Sequence, residues 1–127
     1  MNQDEKVDYR EIADVYFKEL DEISDKVWAT IISIIANRES YGDTYVDVIS
    51  DTILKSAEIV DKIKSVKHFI GGEVDKMNRK IVGSVGFGDS VVKMYESCKE
   101  VSGIYDRMHD DLFGTVLEPV IIKKKER

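Results

Sequence analysis

The chain has 127 residues and a net charge of −6. That length suits one domain with a real core. The negative balance argues against a general nucleic-acid binder, which needs many uncompensated Lys and Arg to displace counterions from phosphates. Charged residues reach 35%, but both signs sit within periodic segments, so the composition reads as a folded protein rather than a disordered one.

The opening MNQDEKVDYR is polar and acidic, without the basic start and apolar run of a signal peptide. The expectation is an intracellular, cytoplasmic protein, or one built into a particle assembled there. From about Asp4 or Val7 to Glu39 the spacing predicts one long helix. Its stripe is Ile12, Tyr16, Leu20, Ile23, Val27, Ile31 and Ile34, at steps of three and four. The second half, Val27–Ala36, carries no charge, and Phe17, Trp28, Ile32 and Ile35 point to other sides. A helix apolar nearly all round is buried on several sides or meets a partner chain. Ten residues span only ~15 Å, too short for a membrane.

Ser40–Asp43 reads as the break, with Gly42 ending one helix and Asp43 or Thr44 capping the next. A second helix is predicted from Thr44 to Phe69. Tyr45, Val46, Ile49, Ile53, Val60, Ile63 and Ile70 make its main face, and Gly71-Gly72 ends it. A third starts near Glu73 and is interrupted at Gly86-Phe87-Gly88. A clean stripe then runs through Val91, Met94, Cys98, Val101, Tyr105, Met108 and Leu112 to Phe113. Cys98 is the single cysteine, so no intramolecular disulfide or thiolate zinc cluster is possible, and it reads as a small core residue.

The predicted fold is therefore all-α: an antiparallel up-down bundle of three long helices over residues 1–114, the third broken near Gly86–Gly88 into two segments. Residues 115–127 read as an extended basic tail. Pro119 disfavours helix before it, and Lys123–Arg127 holds four basic residues against Glu126. Lys123–Arg127 sums to +3 and the remaining residues to −9.

Several chemistries can be weighed on spacing. His68 with His109-Asp110 resembles the HD phosphohydrolase pattern, but only Asp111 follows where a distant fourth ligand is needed. Asp106-x-x-His109 places two ligand types one turn apart, where ferritin-like di-metal sites need two Glu-x-x-His pairs and two further Glu. Gly83–Gly88 resembles a phosphate loop without the strand context such a loop requires. Glu19-x-x-Glu22 and Glu58-x-x-Asp61 set paired carboxylates on neighbouring helices, an arrangement that can hold Mg²⁺ around a triphosphate. These four positions distantly resemble the all-α nucleotide pyrophosphohydrolases of the MazG type, although Lys18 stands where that motif's first Glu belongs. The resemblance implies an alternative function, Mg²⁺-dependent release of pyrophosphate from nucleoside triphosphates.

The leading expectation is a non-enzymatic structural or interaction protein that self-associates, as a component of a virion or other assembly. It involves no cofactor, metal or catalytic group. The interface residues are Phe17, Trp28, Ile32 and Ile35 on the first helix. Val120, Ile121, Ile122, Lys123, Lys124 and Lys125 are the tail residues that meet a neighbouring subunit or an acidic partner. A regulatory module binding an acidic partner or nucleic acid through the basic tail is a further alternative, which the acidic body disfavours.

Overall fold

The computed structural model describes residues 8–80 and 83–113. Within them the chain is an all-α bundle. Helix α1 is Arg10–Ala36, α2 is the single turn Arg38–Tyr41, α3 is Tyr45–Asn78 and α4 is Ser84–Phe113. A 3-10 turn, Gly42–Thr44, joins α2 to α3. Each of the three long helices packs against both others. No described helix is long and apolar enough to cross a membrane.

Cross-ties set the directions. At the start of α1, the Tyr9 N–H donates to Asn78 Oδ1 at the end of α3, 2.9 Å, and the Tyr9 ring lies 5.7 Å from Phe87 near the start of α4. Towards the other end, the Thr30 and Tyr105 hydroxyls are hydrogen-bonded at 3.0 Å, and Ser56 Oγ donates to Met108 Sδ at 3.8 Å. Helices α1 and α4 therefore run together, and α3 runs against them.

The expected stripes supply the core. Leu20, Ile23, Val27, Ile31 and Ile34 are buried from α1, and Met94, Cys98, Val101, Tyr105 and Met108 from α4. Helix α3 departs from expectation. Its buried positions are Thr52, Ser56, Ile59, Ile63, Val66, Ile70, Val74 and Met77, while Val46 and Ile53 are exposed. Two hydroxyl residues can occupy core positions because Thr52 returns its hydrogen to the Val48 carbonyl at 2.7 Å and Ser56 meets the Met108 sulfur.

Two predicted breaks are corrected. Helix α3 runs straight through Gly71 and Gly72, and α4 runs through Gly86 and Gly88. Helix α3 instead ends at Asn78 and α4 begins at Ser84. Gly71 and Gly72 sit on the exposed side, while Ile70, Val74 and Met77 carry the buried stripe past them. A helical glycine costs ~1 kcal/mol against alanine, less than two buried apolar side chains return. The chain instead leaves α3 through Lys80, at φ +59°. Gly42, at φ +57°, lies in the first connection as expected, but it ends the short α2, since α1 already stops at Ala36, and Thr44 precedes α3 without a side-chain capping bond.

Candidate interaction surface

The least accounted-for part of the bundle is its apolar exterior. In α1, Trp28 is 57% exposed, Ile32 62% and Ile35 is also exposed. They recur at steps of four and three, beside the buried Val27, Ile31 and Ile34. In α3, Val46 is 67% exposed and Ile53 is exposed with it, while Leu54 is exposed on another side of the helix. The Lys67–Asp21 ion pair levels α3 with α1. Counting from it along antiparallel helices at ~1.5 Å per residue brings Ile35 to the height of Ile53, and Ile32 to that of Ser56 and Ala57. By helical period, Ile53 lies on the same flank of α3 as Lys67. The two stripes thus border one seam, and contiguous exposed apolar surface of this kind marks an interaction site. Phe17, expected in the same seam, is half-buried against the core with the Lys67 ammonium 5.9 Å above its ring.

Sequence reading placed Val46 and Ile53 in the core and did not single out Leu54. The signal that could have corrected this is the hydroxyl pair Thr52 and Ser56, which hold the period of the buried stripe with Ile59 and Ile63. The tail residues Val120–Lys125 lie outside the described residues.

The other candidate constellations do not assemble. Glu19, Glu22, Glu58 and Asp61 are all exposed. Asp21 pairs with Lys67, so Glu58 and Asp61 lie six to nine residues further along α3, ~10 Å away. Among the described residues no group of three or more His, Cys, Asp or Glu side chains converges as a metal site would require. His109 lies in an open groove of about 390 Å³ with Lys26, Thr30 and Phe113, its ring 4.8 Å from Phe113 and 5.9 Å from Tyr105. His68 is on α3, several turns from it. The Cys98 thiol is buried, and burial pushes its pKa up to about 11 with a smaller contribution from the Glu19 carboxylate, so it is protonated at neutral pH.

Compared with family models, with curated proteins and with solved structures, the chain matches none. The fold defines its class, a three-helix bundle with an apolar seam that is exposed among the described residues.

Proposed function

We propose that the chain is a non-enzymatic structural or interaction protein that self-associates through the α1/α3 seam, as a subunit of a larger assembly. The observation that carries this reading is the exposed stripe Trp28, Ile32 and Ile35 on a charge-free stretch of α1, extended on α3 by Ile53. A typical stable interface covers ~800 Å² on each partner, with an apolar centre and a polar rim. The seam supplies such a centre, and Trp is the residue type most often found as an interface anchor.

The test is native mass by light scattering after size exclusion, over a wide concentration range. The full chain should give a dimer or larger species. Trp28→Ala should weaken association at least about tenfold, equivalent to ~1.4 kcal/mol, while leaving the helical circular dichroism signal unchanged. A strict monomer at every concentration would sink the reading.

A further inference from the structure

The connection between α1 and α3 is close to helical. Asn37 sits at φ −108° and ψ 25°, and the residues after it form α2 and the 3-10 turn. Gly42 alone in this connection takes a positive φ, at φ +57° and ψ −131°. Glycine holds that conformation without a Cβ penalty, and it enters helical backbone as readily. The connection is also lightly held. No residue of α2 or of the 3-10 turn is buried, and the Thr44 hydroxyl donates to the Tyr41 carbonyl at 2.6 Å, within the turn itself.

Helical phase passes through this connection unbroken. The buried stripe of α1 ends at Ile34 and that of α3 begins at Thr52. Between them Tyr41, Tyr45 and Val48, all half-buried, continue the same face at steps of seven, four, three and four. The outer stripe does likewise. Trp28, Ile32 and Ile35 run on, after about three helical turns, to Val46, Ile49 and Ile53. A hairpin needs no such agreement, because each of its helices sets its own rotation against the core. One uninterrupted helix needs it along its whole length.

We propose that Gly42 is the hinge for exchange of α1 between two copies of the chain. With Gly42 in helical backbone, Arg10–Asn78 becomes one helix ~100 Å long, and α1 of each copy lies on α3 and α4 of the other. The Asp21–Lys67 and Thr30–Tyr105 contacts are kept, now between chains. Counting along antiparallel helices from Asp21–Lys67, Ile35 of one copy stays opposite Ile53 of the other, and Val46 falls opposite Gly42. Val46, exposed in the closed chain, then packs where glycine leaves room. The bundle contacts are the same in both states, so the turn and the protein concentration set the balance. Trp28 and Ile32 stay outside in both, which makes the exchange independent of association through the seam.

The experiment uses full-length chains carrying Asp21→Cys with Lys67→Cys, refolded at high concentration, joined by a short bis-maleimide and run on a denaturing gel. The Cys98 thiol is buried and stays out of the reaction. Links within one chain report the closed form, and links between two chains the exchanged form. The parent should give linked pairs whose share rises with refolding concentration. Gly42→Ala should raise the exchange constant at least about a hundredfold, because alanine is disfavoured in the turn and favoured in the helix, twice per dimer. Inserting Gly-Gly after Gly42 relaxes the turn and breaks the phase. It should abolish linked pairs while circular dichroism still reports a folded bundle.

Links only within chains, in both the parent and Gly42→Ala, overturn the exchange; a native mass above the monomer would then leave seam association standing. Linked pairs that persist in the insertion variant also overturn it, since they would come from surface contact and not from a continuous helix. Linked pairs that disappear on insertion, in a parent whose native mass falls to the monomer on refolding at low concentration, would support exchange and remove the seam reading.

Discussion

Asp8 joins the start of α1 to the end of α3. Its carboxylate accepts from Arg10 Nε at 2.8 Å and from the Arg10 backbone N–H at 2.9 Å, and Asn78 Nδ2 donates to it at 3.3 Å. The Arg10 side-chain bond is the largest cause holding its pKa down to about 2, with the backbone bond next. A depressed carboxyl stabilises the fold above its unfolded pKa of ~3.9, and that contribution is lost as the pH falls through its folded value. Asp8→Asn should therefore lower the melting temperature at pH 6, and the gap to the parent should close between about pH 4 and 2, read by thermal melts across that range. At the other end, Thr30 donates to the Lys26 carbonyl at 2.8 Å and meets the Tyr105 hydroxyl inside the core. Tyr105→Phe removes one buried hydrogen bond and should cost ~1 kcal/mol in denaturant unfolding, with no further loss in Tyr105→Phe combined with Thr30→Val. Cys98 gives a third readout at this scale: a thiol reagent at pH 8 should label it only as fast as the bundle opens.

Helix α3 spans 34 residues and carries two adjacent glycines near its last third. Nothing lies within 4 Å of where a Cβ would sit at either Gly71 or Gly72. Gly71→Ala and Gly72→Ala should each stabilise the bundle by ~0.5–1 kcal/mol, since alanine lowers the entropy of the unfolded chain and fits helical backbone. Urea midpoints of the two single variants and the double variant would check this. Had these glycines formed the predicted turn, alanine there would have destabilised the protein instead. Lys80 is the complementary case. It holds a left-handed backbone conformation at the true end of α3, so Lys80→Gly should stabilise by ~1 kcal/mol. The pattern of Gly71-Gly72 was legible as an interruption, but local propensity was the weaker signal. The apolar spacing Val66, Ile70, Val74, Met77 ran on through it, and burial of that stripe between α1 and α4 decided the matter.

At the scale of the molecule, the described residues form one core between three helices, and the α1/α3 seam stays outside it. A self-associating chain gains stability with concentration, because mass action favours the species that exists only when folded. The melting temperature of the parent should rise with protein concentration, and that of Trp28→Ala should not. The interface candidates on α1 were legible because an apolar run without charge cannot all face inward on a helix of period 3.6. The α3 half was not legible. Hydrophobicity ranks Val46 and Ile53 above Thr52 and Ser56, and only the packed bundle shows that the hydroxyl residues are the buried ones, Ser56 against Met108 and Thr52 bonded to the Val48 carbonyl.

By itself, the sequence determined the all-helical class, the stripes of α1 and α4, the break at Gly42 and the uncharged stretch Val27–Ala36. Each is a local matter of period and composition. The tertiary structure alone decided three things: where α3 ends, which flank of α3 is buried, and that Glu19, Glu22, Glu58 and Asp61 stand apart. These depend on register between helices distant in the chain. That register is visible in the Thr30–Tyr105, Lys67–Asp21 and Tyr9–Asn78 contacts, which no spacing within one helix encodes.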